Sequence, residues 1–326
     1  MEEENTRIYN VLIIGAGKIG AFFDQPGSEN ILTHAHAFAA HPGFQLAGFV
    51  DSDTGQAQKA ASIWGGEYFN NLDEALHKYR VDVVCLAVPD EYHYPYLQEL
   101  AHRNINIIFA EKPLTKTLPE AREIKQRYSS LPISVQLNYS RRFVPEIITL
   151  RNNIRDGLYG RYLSGTGYYG KGLLHNGSHL LDLLLSLLGD VSDCRLTGVI
   201  NDFYDDDPSV SAVLTMAEGT PFFLQSIDCR AYTIFEMDLL FERRRVRLID
   251  SGFVIEEYEI RESPLFAGYR NPLVVSEQRT SLSKSIYYAA ENIYQHLDKG
   301  EELLCRLDDG VKVLSLCWQL KEGLQV

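Results

Sequence analysis

Gly15-Ala16-Gly17-Lys18-Ile19-Gly20 follows directly on the apolar run Val11–Ile14. A GxGxxG at a strand-to-turn junction suits a dinucleotide. The first glycine makes the tight turn, the second lets a pyrophosphate approach the backbone, and the third lets a helix pack close to the strand. Lys18 and Ile19 share that turn and are candidate nucleotide contacts with Gly15, Gly17 and Gly20. The acid that should hold the adenosine ribose is Asp51, at the end of Phe44–Val50 and 31 residues past Gly20. The usual interval is about 20; the polar stretch Phe22–Asn30 reads as an insertion that accounts for the excess. A carboxylate here accepts from a free 2′-hydroxyl and repels a 2′-phosphate, and no arginine follows it, so NAD is favoured over NADP. The competing reading of Asp51 is a helix N-cap, since Asp51-Ser52-Asp53-Thr54 is a capping cluster.

A second group is Glu111-Lys112-Pro113, at the carboxyl end of another apolar run. Open α/β sheets bind ligands at that edge, and Pro113 restricts Lys112 to an extended conformation. Lys112 is then either a ligand contact or a surface lysine. A third group is His175, Asn176, His179 and Asp182. His175 and His179 stand four apart, a spacing open to a metal. The sequence lacks the HExxH glutamate, and Asn176-Gly177 reads as a helix start, so no metal is expected.

These residues need elements to hold them. Short apolar runs at Tyr9–Ile14, Phe44–Val50, Val81–Val88, Ile105–Ala110 and Ile133–Leu137 alternate with helix-like stretches at Asp53–Ile63, Asn71–Tyr79, Tyr92–Arg103 and Leu118–Ser129. That alternation predicts a parallel sheet with helices on both faces. Phe143–Arg155 and Gly177–Leu188 read as helices. About six strand-like runs then fill Cys194–Tyr258 without crossover helices, one pair turning at Glu218-Gly219. This predicts a largely antiparallel sheet. Leu282–Leu297 and Asp308–Leu320 read as closing helices, and Gly170–Gly177 and Phe266–Gln278 as loops. Arg243–Arg245 with Arg247 reads as a solvated turn. The boundary is placed at 137/138, giving a dinucleotide-binding domain (1–137) and an α+β substrate-binding and oligomerisation domain (138–326).

The chain of 326 residues carries 31 Lys and Arg against 44 Asp and Glu, a net charge of −13. Such a field repels nucleic acid and anionic membranes. An odd count of five widely spaced cysteines argues against a disulfide framework and for a reducing cytoplasm. The acidic N-terminus is unlike a signal or transit peptide. The apolar stretch Leu180–Leu188 is too short to span a membrane.

Taken in order, GAGKIG at 15–20, VPDEYH at 88–93, EKPL at 111–114, NYSRRF at 138–143 and HNGSHLLDLLLSLLG at 175–189 resemble the Gfo/Idh/MocA oxidoreductases, the family of glucose–fructose oxidoreductase and inositol dehydrogenase. The resemblance implies a Rossmann doubly wound parallel sheet followed by an α+β domain with an open sheet, and association into a homodimer or homotetramer. It implies a cis Lys112–Pro113 bond, Lys112 at the nicotinamide, and His179 as acid/base at the substrate hydroxyl. Glu111, Pro89 and His93 join the nucleotide contacts, His93 alternatively as a helix cap. Arg142, Tyr169, Lys171, His175, Asn176 and His179 border a sugar-type substrate, with Arg141 and Tyr168 nearby. Many relatives carry aspartate at the position of His175, so polyol oxidation of the inositol type is placed in doubt. His175 is either a substrate hydrogen-bond partner with a catalytic part or a packed histidine. The implied activity is hydride transfer between NAD(P) and a sugar, nucleotide-sugar or cyclitol. The other readings are a non-catalytic dinucleotide sensor, against which Lys112 and His179 argue, and an imine or enal reductase on the same fold.

Overall fold

The computed structural model describes residues 7–323. It divides into two compact units: the chain up to Phe143 with Ser283–Val311, and Val144–Leu282 with the chain from Lys312 on. The first break lies close to the expected boundary at 137/138. The return of Ser283–Val311 to the first unit was not expected.

The first unit alternates β1 (Tyr9–Ile14), α1 (His34–Ala40), β2 (Phe44–Val50), α2 (Thr54–Trp64), β3 (Glu67–Phe69), α3 (Leu72–Lys78), β4 (Val83–Leu86), α4 (His93–Leu100), β5 (Ile107–Ala110), α5 (Leu118–Tyr128) and β6 (Ser134–Leu137). The strands form one parallel sheet in the order β3-β2-β1-β4-β5-β6. The strand order reverses between β1 and β4, where sheets of this kind open a ligand crevice at their carboxyl ends. β4 and β5 are buried along their whole length, as strands covered on both faces must be. Helix starts follow capping chemistry: Asp53 accepts from Gly55 and Gln56, and Thr117 and Glu120 form a capping box.

The second unit holds α6 (Pro145–Arg155), β7 (Tyr162–Tyr169), α7 (Ser178–Leu188), β8 (Val191–Ile200), β9 (Ser209–Met216), β10 (Pro221–Ser226), β11 (Phe235–Phe241), β12 (Arg244–Ile249), β13 (Val254–Glu262) and β14 (Arg270–Arg279). The eight strands run β14-β13-β12-β11-β7-β10-β9-β8, antiparallel except where β10 meets β7. The apolar side of α7 supplies Leu180, Leu181, Leu183, Leu184 and Leu187 to the core. It lies so close to β7 that a Cβ on Gly167 would come within 2.7 Å of Leu180. The hairpin expected at Glu218-Gly219 joins β9 to β10, with Gly219 at φ +84°. The chain closes with α8 (Ser285–Lys299), in the first unit, and α9 (Leu307–Glu322), within which the division between units falls. Among the described residues no helix is long and apolar enough to cross a membrane.

Four readings from the sequence are corrected. Phe266–Gln278 is a loop only as far as Tyr269, because Arg270–Arg279 pairs with β13 as an edge strand. Gly170–Gly177 is a loop only in part, because Leu173–Gly177 is a helical turn running straight into α7. Asn176-Gly177 therefore continues a helix rather than starting one. The arginines at 244, 245 and 247 lie in β12, where Arg245 pairs with Asp238 and Arg247 with Glu256.

Candidate nucleotide-binding and catalytic groups

The glycine turn is shaped by what side chains would meet. Gly15 has φ +97°, and a Cβ there would lie 2.4 Å from the carbonyl oxygen of Ala87. A Cβ on Gly20 would lie 2.0 Å from the carbonyl oxygen of Gly15, so the helical turn Lys18–Phe22 presses against the start of its own loop. Gly17 differs: a Cβ there meets nothing within 4 Å. Two glycines are thus required by packing, and the middle one faces open space. Lys18 is exposed, while Ile19 and Asp51 are half-buried. Asp51 accepts from the Ala16 N–H through Oδ2 (2.7 Å) and from the Asp53 N–H through Oδ1 (2.9 Å), which ties the end of β2 to the glycine turn. The helix cap is Asp53, not Asp51. The insertion is organised by Asp24, which accepts from Leu32, from the hydroxyl of Thr33 and from His36.

The bond between Lys112 and Pro113 is cis, as the resemblance implied. Lys112 is half-buried just beyond β5. Glu111 turns inward: Oε1 accepts from His34 (2.8 Å) and from the Asn138 amide (2.7 Å). Burial pushes its carboxyl up, but the hydrogen bonds and charge of His34, the amide of Asn138 and the nearby charge of Lys112 outweigh it. The net position is below the usual carboxylate range. Through these contacts the Glu111 side chain braces the turn. His93 is also internal, at 1% exposure, with Nδ1 2.7 Å from the carbonyl of Pro113 and Nε2 3.0 Å from that of Val88. It fastens the turn after β4 to the turn after β5. Pro89, exposed, begins that first turn. Arg142 is buried, donating to the Leu304 carbonyl and pairing with Asp309 at 3.1 Å. Its contacts are those of a framework residue rather than of a substrate clamp.

Because the folded-state value of Glu111 lies below the unfolded one, its contribution to stability is present above about pH 4.3. It is lost as pH falls through the folded value. Glu111→Gln should flatten the acid limb of Tm against pH relative to the wild type. Parallel curves for the two proteins in calorimetry would remove Glu111 from that account.

In the second unit, Tyr169 is fully buried; its hydroxyl donates to the Val210 carbonyl and accepts from the Val210 N–H, which excludes it as a substrate contact. Lys171 has φ +69°, its N–H donates to Asp202 (2.6 Å), and its ammonium lies 4.7 Å from the centre of the Phe203 ring. Asn176 donates to the Gly170 carbonyl. His179 is the second residue of α7 and is half-buried, while Asp182 is 1% exposed. His175 gives its Nδ1 proton to Asp207 at 2.8 Å. Sequence reasoning missed His34 and Asp207. The signals on offer were the histidine pair at the start of α1 and the acidic run at 205–207.

The switch-point crevice, the glycine turn and the acid that ties β2 to it define the first unit as a dinucleotide-binding one. Residues 9–139 match the model of the oxidoreductase family with an NAD-binding Rossmann fold, GFO_IDH_MocA. The matched stretch takes in the GAGKIG, VPDEYH and EKPL motifs. The rhizopine catabolism protein MocA of Rhizobium meliloti is 28% identical over 148 residues, covering 45% of this chain and 43% of that protein. The chain spans about half the length of such curated relatives. Inositol 2-dehydrogenase of the same organism is 23% identical with 93% of each chain covered. The solved structure of UDP-N-acetylglucosamine 3-dehydrogenase GnnA from Acidithiobacillus ferrooxidans shares the fold at a TM-score of 0.77, with 20% identity and 97% of each chain covered.

Proposed function

We propose that the protein is an NAD-dependent dehydrogenase moving a hydride between nicotinamide and a CH–OH carbon of a sugar, nucleotide-sugar or cyclitol. The observation that carries this reading is the Glu111-Lys112-Pro113 turn. It stands at the carboxyl end of β5 and is braced by His34, Asn138 and His93. A lysine presented this way can stabilise an oxygen that gains negative charge as its carbon loses hydride. His179 accepts or relays the hydroxyl proton, a task suited to imidazole. When bound, NAD supplies the hydride acceptor; Gly15, Gly17, Gly20 and Asp51 would hold it. The names of the relatives, an inositol and a UDP-N-acetylglucosamine dehydrogenase, support a carbohydrate-type substrate. Apolar residues left exposed on the second sheet, among them Leu163, Phe223, Leu240 and Val274, support self-association through it.

The test measures NAD(P)H absorbance with each cofactor against myo-inositol, glucose and UDP-N-acetylglucosamine, and compares wild type with Asp51→Ser. Oxidation of at least one carbohydrate with NAD is expected. Asp51→Ser should move the NAD:NADP affinity ratio about tenfold towards NADP, or about 1.4 kcal/mol. Taking a ratio cancels any general loosening of the glycine turn. Tight NAD binding with no oxidation of a wider carbohydrate set would favour a sensor. An unchanged ratio would release Asp51 from cofactor choice.

A further inference from the structure

The segment between β8 and β9 is short and acidic, and it closes over the helical turn Leu173–Gly177. Asp207 is its innermost residue, 1% exposed. Its carboxylate accepts from the N–H groups of Leu174 (2.9 Å) and His175 (3.1 Å) and from His175 Nδ1 (2.8 Å), with the Lys321 ammonium 3.9 Å away. The fit is tight: Gly172 has φ +84°, and a Cβ there would fall 2.3 Å from Asp207 Oδ2. Tyr204, from the same segment, stacks on the His175 ring with centroids 3.7 Å apart and planes 15° apart. The imidazole is thus fixed in plane by one residue and in tautomer by another. Its side chain is a third exposed, whereas that of Asp207 is sealed away.

Capping alone accounts for the two backbone donors. It does not account for the imidazole contact, which orders a partly exposed ring. A carboxylate can only accept, so Nδ1 carries the proton and the basic lone pair of neutral His175 is at Nε2. A buried carboxylate behind a partly exposed imidazole is the arrangement that orients a general base.

We propose that Asp207 is a positioning residue that makes His175 the terminal proton acceptor of the dehydrogenase reaction, an inference that rests on the function proposed above. As the carbinol C–H leaves as hydride to oxidised nicotinamide, the C–O bond becomes a carbonyl. The hydroxyl proton passes to His175 Nε2, directly or through His179 one helical turn away. The imidazolium so formed is offset by the Asp207 carboxylate.

The experiment pairs imidazole ¹⁵N chemical shifts with kinetics, for wild type and Asp207→Asn, using His175→Gln to assign the resonance. Wild-type His175 is expected as the Nδ1–H tautomer, with a growing Nε2–H population in Asp207→Asn. On whichever of myo-inositol, glucose or UDP-N-acetylglucosamine the wild type oxidises, kcat should fall about 10²–10⁴-fold with KM within a few-fold. A purely structural Asp207 would lower Tm and leave tautomer and kcat alone, which would overturn the proposal. So would an Nε2–H tautomer in the wild type, a measurement that stands even if Asp207→Asn does not fold. Failure of the wild type to oxidise any carbohydrate defeats the functional reading instead, and the tautomer still decides whether Asp207 sets His175.

Discussion

Lys112→Ala is expected to lower kcat about 10²–10⁴-fold while leaving NAD affinity within a few-fold of wild type. As hydride departs, the substrate oxygen passes through alkoxide character, and a positive charge held against it lowers that barrier more than it tightens ground-state binding. The lysine is held there by its neighbours. Glu111 is pinned by His34 and Asn138, and Pro113 is pinned through its carbonyl by His93. The proposed nucleotide contacts, Gly15, Gly17, Gly20 and Asp51, lie on other turns, so binding and chemistry should separate. Stopped-flow rates and calorimetric NAD titration read the two quantities independently. Wild-type turnover by Lys112→Ala on an identified substrate would take the lysine out of the chemistry and leave stabilisation of the oxygen to another group.

The second large effect is expected at the glycine turn, where two alanine variants should behave oppositely. In Gly20→Ala the new methyl lies 2.0 Å from the oxygen of Gly15 and 3.1 Å from its carbonyl carbon, both backbone atoms. Gly15 cannot yield readily, since its own carbon is set against the carbonyl of Ala87. Overpacking of this kind costs about 1–3 kcal/mol. Gly20→Ala should therefore lower Tm even without nucleotide, and weaken NAD as the turn opens. In Gly17→Ala the methyl meets nothing within 4 Å, so Tm of the free protein should hold. NAD affinity should nonetheless fall, because the methyl occupies space the pyrophosphate needs. Equal NAD affinity in Gly17→Ala and wild type would mean that the phosphates do not pass over this glycine.

What the sequence disclosed follows from how local each signal is. β1 and β2 match their predicted bounds residue for residue. Each is an apolar run stopped by a residue with its own duty, Gly15 in one case and Asp51 in the other. β3 escaped notice because three residues at a sheet edge offer no pattern. β14 was read as a loop because all ten of its residues are exposed, which erases alternation. β7 was passed over because Gly165 and Gly167 weaken its strand character; they are there to admit Leu239 and Leu180. Within the candidate site, the glycine turn and Glu111-Lys112-Pro113 were legible as contiguous motifs. Tyr169 was misplaced, since nothing in the chain says that its hydroxyl is spoken for by Val210, and the bond from His34 to Glu111 was equally unreadable. The pairs that matter most, His34 with Glu111 and His175 with Asp207, span 77 and 32 residues, distances at which spacing carries no information.

The return of Ser283–Val311 to the first unit bears on how the molecule is made. Gln136 donates to the carbonyl of Ala289, Leu137 to that of Cys305, and Ile31 to that of Ser283, while His41 pairs with Glu291 and Gly43 leaves room for the ring of Tyr294. Every one of these partners is synthesised after the whole of β7 to β14. On the ribosome the nucleotide unit therefore waits, with the outer edge of β6 and one side of α1 uncovered, until Ser283–Val311 emerge. The second sheet emerges in the meantime. A chain halted early in translation leaves its cofactor unit as the incomplete one, exposing apolar surface that chaperones recognise.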